Sequence, residues 1–336
     1  MARKDGEGPN RRDFSATACA QGRTNALAPT PGRTRPSARS RAPRRAEEPG
    51  LHDESEAGRE EAVFFLVLAI LVGGCVPMSP PVVTDLAVLT REGRHEVTLP
   101  GSGITLAGIL FRPTSIESPL PAIIVLHGWA ERGVPGAPRG EGSARLLAEQ
   151  GYVTLALSMR GWPNSGGRDD CGLDQPDDIV KAAEWLASLP GVDPERIGVL
   201  GFSQGGQVAL LAGSRTKRIK AIVAYYPVTD IDRWKLTTSH PTIPDYIRYV
   251  CEPGGSAFRS PVHVAGRIEA PVFLIHGDRD TRVPTEQSIK LKETLVKARR
   301  TVELHLIPGA DHNFTAEQRG QAWPLTLQWF AIHLKR

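Results

Sequence analysis

A short apolar run at residues 197–200, Ile-Gly-Val-Leu, has the length and branching of a strand buried on both faces. It stops at Gly201, and residues 207–212 resume with a composition that suits a helix. Between the two stands Gly201-Phe202-Ser203-Gln204-Gly205, followed by a further glycine, Gly206. A strand that turns into a helix over so few residues forces the central serine into a strained backbone conformation. Glycines two before and two after it let neighbouring backbone pass without Cβ clashes. The hydroxyl then stands at the start of a helix, where backbone N–H groups and the positive end of the helix dipole favour a developing anion. The competing reading is an ordinary glycine-rich turn with a surface serine. The two are separated by whether a base and an acid follow at suitable places in the chain.

The surrounding pattern is that of an α/β fold. Strands are expected at 95–99 and 104–111, joined by Pro100-Gly101-Ser102-Gly103, then at 122–126, 152–158, 197–200, 221–225, 271–275 and 302–307. Helices are expected at 144–150, 177–189, 207–212, 285–298 and 322–334. In the second of these Ile179, Ala182, Ala183 and Leu186 fall on one face. Continuous apolar strands alternating with helices imply a mostly parallel sheet with helices on both faces. An insertion at about 229–267 interrupts the alternation where a short lid would sit, and one domain over 94–336 accounts for the whole pattern.

The first 93 residues read differently. Residues 1–61 are rich in Arg, Pro, Gly, Ala and Ser without a sustained apolar period, the composition of a disordered leader or of a start codon placed too far upstream. They also hold much of the positive charge. Residues 1–45 carry 11 Lys or Arg against 3 Asp or Glu, so the overall net charge of +4 does not describe the remainder, which is slightly acidic. A nucleic-acid partner is therefore not indicated. An unbroken apolar run at 62–72 leads to Gly73-Gly74-Cys75. It is too short for a membrane span but suits the core of a secretion signal. Val72-Gly73-Gly74-Cys75 resembles the lipobox of bacterial lipoproteins, which implies lipidation of Cys75, a membrane tether and an exported protein. Glu60 and Glu61 break the usual positive flank, and without a working signal the protein would be cytoplasmic. Residues 76–93, with Pro77, Pro80 and Pro81, read as a linker. Cys171 and Cys251 remain as a pair that an oxidising compartment would let bridge, or as two isolated thiols. No Cys or His spacing suggests a metal site, and no cofactor is implied.

A serine hydroxyl needs a base, and the base an orienting acid. Two loops at strand ends supply candidates in the chain order serine, acid, histidine. His276-Gly277-Asp278-Arg279-Asp280 follows the strand at 271–275, and Pro308-Gly309-Ala310-Asp311-His312 follows the strand at 302–307. Asp280 is preferred as the acid over Asp278, which suits a solvated turn, and over Asp311, whose adjacency to His312 gives it the wrong direction. His127 and His276 each precede a glycine at a strand end and read as structural. The oxyanion hole should combine the N–H of Gln204 with that of Trp129, in the loop His127-Gly128-Trp129, each donor contributing roughly 3–4 kcal/mol to transition-state stabilisation. Trp162, Trp234 and Tyr246 are the candidates to line a substrate pocket.

From about Leu99 to its end the chain resembles the α/β-hydrolase superfamily, in its dienelactone hydrolase and prolyl oligopeptidase branches. Residues 260–284, ending in His-Gly-Asp-Arg-Asp-Thr-Arg-Val-Pro, look especially like a prolyl oligopeptidase catalytic domain. The resemblance implies Asp280 as triad acid and His312 as base. Dienelactone hydrolases typically carry cysteine where this chain has Ser203, and prolyl oligopeptidases carry an N-terminal propeller for which this chain has no room. The expectation is therefore a serine esterase acting on a small ester or short acyl substrate. An exopeptidase or acylaminoacyl hydrolase with the same triad is the first alternative. A non-catalytic surface lipoprotein using the fold as a binding module is the second.

Overall fold

Apolar strands long enough to be buried on both faces must find helices to cover them, and the chain does this with eight strands. The computed structural model describes residues 92–113, 119–129 and 137–335. The leader, the signal-like segment, Cys75 and nearly all of the linker lie outside them. Strands β1 (Gly93–Pro100), β2 (Thr105–Arg112), β3 (Leu120–Leu126), β4 (Val153–Ser158), β5 (Val192–Phe202), β6 (Ile219–Tyr225), β7 (Val272–Gly277) and β8 (Val302–Ile307) form one sheet. Their order is β1-β2-β4-β3-β5-β6-β7-β8. β1 and β2 pair antiparallel, as do β2 and β4, and every later pair is parallel.

Side-chain alternation along β3 divides the core in two. Ala122, Ile124 and Leu126 face α2 (Gln175–Ser188), α3 (Gln204–Gly213) and α6 (Glu286–Lys297), packing with Ile179, Leu186, Val208 and Leu291. Ile123 and Val125 face α1 (Ala137–Ala148) and α7 (Ala316–Leu334), packing with Leu147, Trp329 and Phe330. Among the described residues no helix is long and apolar enough to cross a membrane.

The inserted segment between β6 and β7 is helical in short pieces. α4 (Ile231–Thr237) is capped by the Asp230 side chain, which accepts from the Arg233 N–H. α5 (Ile243–Tyr246) runs directly into a wider turn over Ile247–Cys251. Ile231, Trp234, Ile243, Ile247 and Cys251 pack with Cys171 and Val283 in a third apolar cluster at the carboxyl ends of the strands. Cys171 and Cys251 are joined there by a disulfide.

Three boundaries differ from the sequence reading by five residues or more. β5 begins at Val192 rather than 197, and it enters the sheet through an irregularity that shifts the pairing from Leu120↔Val192 to Ala122↔Ile197. α1 begins at Ala137 rather than 144, because Gly140 and Gly142 weaken the helical signal of its first turns. α7 begins at Ala316 rather than 322. Its start is a capping box in a polar stretch, in which Thr315 accepts from the Gln318 N–H and the Gln318 side chain accepts from the Thr315 N–H.

Candidate active site

The turn from β5 into α3 puts Ser203 at φ 54° and ψ −117°, a region that costs an L-residue about 1–3 kcal/mol unless its surroundings enforce it. They do so by contact and by hydrogen bond. A Cβ on Gly201 would lie 2.3 Å from the Gly205 carbonyl oxygen, and a Cβ on Gly205 would lie 2.5 Å from that of His127. A side chain at Gly201 would push β5 away from the start of α3, and one at Gly205 would push the turn off the end of β3. The Ser203 N–H donates to Tyr225 O at the end of β6 (2.9 Å), and Ser203 O accepts from the Gln207 N–H (3.1 Å).

His312, in the loop between β8 and α7, meets this turn. Ser203 Oγ lies 3.0 Å from His312 Nε2, and His312 Nδ1 lies 2.7 Å from Asp280 Oδ2. A carboxylate only accepts, so Nδ1 carries the imidazole proton and Nε2 is left to accept from the serine hydroxyl. The other oxygen of Asp280 accepts from the N–H groups of Arg282 (3.0 Å) and Val283 (2.8 Å). Burial works to raise the Asp280 carboxyl, and hydrogen bonds from His276 and His312 outweigh it, bringing it down to about 2. The Tyr226 ring packs 4.6 Å from that of His312 and, with Phe314, walls its outer side.

The two rival carboxylates have other partners. Asp278 Oδ1 accepts from the Gly309 N–H, and Asp311 Oδ1 accepts from the N–H groups of Thr281 and His312. Both tie the loop after β7 to the loop after β8 and so fix the distance between Asp280 and His312. His276 is fully buried. Val283 O can only accept, so His276 Nε2–H donates to it (2.8 Å) while lying 3.3 Å from Asp280 Oδ2, and Nδ1 accepts from Ser288 Oγ.

The loop after β3 reaches the turn from the opposite side. A Cβ on Gly128 would stand 3.2 Å from Ser203 Cβ, so the Gly128–Trp129 peptide lies beside the serine. His127 holds that peptide. Its Nδ1–H donates to Gly128 O (2.9 Å), and its Nε2 accepts from the Met159 N–H (3.1 Å). The Gln204 N–H is the first of α3, where no carbonyl stands one turn back to receive it.

Next to Ser203 lies a narrow cavity with room for about one water molecule, walled by Trp129, Gln204, Gln207, Trp234, Ile243, Tyr246 and Arg282. Trp234 and Tyr246 thus stand where the sequence reading put them. Trp162 does not. It is buried edge-on against His127 and lines a neighbouring cleft of about 1310 Å³ instead, because the loop after β4 folds back toward Arg160. Sequence reasoning missed a polar group between the two spaces. Asp169 accepts from Gln204 Nε2 (2.9 Å), from Tyr246 Oη (2.9 Å) and from the Cys171 N–H (3.0 Å). Burial raises the Asp169 carboxyl against the pull of these donors, and burial beside Asp169 raises the Tyr246 phenol well above its ordinary value. The one sequence signal was the pair of glutamines, Gln204 and Gln207, directly after the turn.

A model of the prolyl oligopeptidase family matches residues 141–336, more than half of the chain. The chain belongs to this family. Within the family's wider circle it is similar to the uncharacterized peptidase YuxL of Bacillus subtilis, 29% identical over 69% of this chain and 38% of that protein. It is also similar to a provisionally named carboxymethylenebutenolidase of Yersinia pestis, 26% identical over 74% of this chain and 92% of that protein. Among solved structures, a puromycin-hydrolyzing peptidase of Mycobacterium tuberculosis superimposes with a TM-score of 0.65 at 22% identity, over 72% of this chain and 39% of that one. The chain therefore spans about two fifths of the Bacillus and mycobacterial proteins. Its sheet is that of the α/β-hydrolase fold.

Proposed function

We propose that this protein hydrolyses carboxylic esters through an acyl-enzyme formed on Ser203. The observation that carries the reading is the unbroken hydrogen-bonded relay from Ser203 Oγ through His312 to Asp280 at the apex of a strained turn. His312 Nε2 takes the hydroxyl proton as Oγ attacks the ester carbonyl, and Asp280, anionic throughout the neutral range, holds the imidazolium that results. The developing oxyanion is received by the N–H groups of Gln204 and Trp129. His312 then returns its proton to the leaving alkoxide, and a water activated at the same nitrogen releases the acid.

A small ester is supported by the narrow cavity at Ser203 and by the match along 92% of a carboxymethylenebutenolidase. An acylaminoacyl or exopeptidase activity draws on a different observation, the 1310 Å³ cleft that shares Trp129 and Tyr246 with the narrow cavity and has the volume for a short peptide. Turnover of p-nitrophenyl esters of graded acyl length, set against aminoacyl p-nitroanilides, separates the readings. Ester turnover that exceeds anilide turnover and is lost in Ser203→Ala is the expected result, and dominant anilide cleavage would replace the esterase reading.

A further inference from the structure

Two side chains in the wall of the cavity beside Ser203 each carry a buried oxygen with no hydrogen-bond partner among the described residues, Gln204 Oε1 and Gln207 Oε1. Both side chains are almost completely buried, at 2% and 1% exposure, and both belong to the cavity wall. Their amide orientations are fixed by chemistry. Gln207 Nε2 donates to two carbonyls, Cys171 O (3.0 Å) and Arg259 O (2.8 Å), which can only accept. Gln204 Nε2 donates to the Asp169 carboxylate and to Tyr246 Oη, whose own proton goes to Asp169. A flip of either amide would set oxygen against oxygen. All the N–H capacity of the pair is thus spent behind the cavity, and carbonyl oxygen is what the pair has left to offer.

The side of the ester that enters this cavity follows from the relay. His312 must protonate the leaving alcohol, and His312 is absent from the cavity wall. Trp129 and Gln204, which flank the carbonyl oxygen, are in it, so the substituent that reaches the cavity is on the acyl side. We infer that this cavity is an acyl pocket that selects a compact acyl group bearing a hydrogen-bond donor, hydroxyl or amine, over an aliphatic group of the same size. The inference rests on the acyl-enzyme chemistry proposed above. An aliphatic acyl group would leave both oxygens desolvated and unpaired, whereas a donor group pairs with at least one of them. Sites built in this way discriminate strongly against analogues that lack the donor. The charged groups nearby are Asp169, which polarises the Gln204 amide from behind, and Arg282, in the wall itself. Hydroxyl and ammonium are therefore tested as separate arms.

The test uses the full-length protein and three ethyl esters that differ at one position of the acyl group. Ethyl propionate carries a methyl, ethyl glycolate a hydroxyl and glycine ethyl ester an ammonium. Each kcat/KM is divided by that ester's own rate of alkaline hydrolysis. The expected result is a corrected preference of about tenfold or more for the glycolate or the glycine ester over the propionate. That preference should fall toward unity in Gln207→Met and Gln204→Met. A flat ratio in the unsubstituted protein, with turnover that still depends on Ser203, overturns the inference and leaves the esterase reading standing. Absence of Ser203-dependent turnover on all three esters overturns both.

Discussion

His127 lies outside the relay but holds the peptide beside it. Its Nδ1–H donates to Gly128 O, and that carbonyl belongs to the same planar peptide as the Trp129 N–H, so the bond sets where the proposed second oxyanion donor points. Replacing the ring by an aliphatic side chain, His127→Leu, also strips the Met159 N–H of its acceptor. The expected outcome is a kcat about 10–100-fold lower with KM little changed, less than the full loss of one oxyanion donor because the Trp129 N–H is misaimed rather than removed. Steady-state kinetics on a p-nitrophenyl ester check it, and a change confined to KM would contradict the role. Asp280 gives a second residue-level expectation. Its folded value of about 2 lies below the roughly 3.9 of an unfolded aspartate, so its stabilisation is fully present above about pH 4 and is lost as pH falls toward 2. Denaturant titrations at pH 5 and pH 2 should show the unsubstituted protein losing about 2 kcal/mol more than Asp280→Asn over that interval. Equal losses would mean that Asp280 is not held as a buried anion.

At the level of elements, the three residues that meet, Ser203, Asp280 and His312, were legible because each stands in a short loop whose own residues announce a strand end. Gly201 and Gly205 are demanded by backbone contacts that the five-residue spacing encodes directly. The polar group behind the cavity was not legible. Gln204 and Asp169 are 35 residues apart, and Asp169 and Tyr246 are 77 apart, so only the packing of α3, the loop after β4 and α5 brings them together. The misplaced start of α7 has a similar origin, since a polar capping box carries no apolar period to detect. The inserted segment is tied down at its start and in its middle. Gln287 on α6 accepts from the N–H groups of Thr229 and Asp230, and the Cys171–Cys251 disulfide closes a separation of 80 residues. A cross-link over a loop of that length contributes roughly 2–4 kcal/mol. Reduction, or the paired substitution Cys171→Ser and Cys251→Ser, should lower the unfolding free energy by that amount. Because Cys171 also joins Trp234 in the apolar cluster beside the cavity, ester turnover should fall along with it. Denaturant melts with and without reductant provide the check, and unchanged stability on full reduction would contradict it.

Over the whole molecule, the parallel sheet and its two covering layers were legible from the alternation of apolar strands and helices, because a strand without polar positions must be covered on both faces. The antiparallel pairing of β1 with β2 follows from the short turn at 100–103, but that of β2 with β4 is a tertiary pairing that no local pattern states. The sheet in turn determines where the chemistry sits. β3, β5, β7 and β8 all present their carboxyl ends at one edge, and the loops that follow them bring Trp129, Ser203, Asp280 and His312 together there. The central claim is that these loops make Ser203 a nucleophile. The direct measurement is covalent labelling of the protein by a fluorophosphonate probe, followed by mass analysis of the labelled peptide, alongside Ser203→Ala and His312→Ala. The expected result is one label per chain, located on Ser203, absent in Ser203→Ala and strongly slowed in His312→Ala. A folded protein that takes no label, or one that labels equally well without Ser203, would contradict the claim.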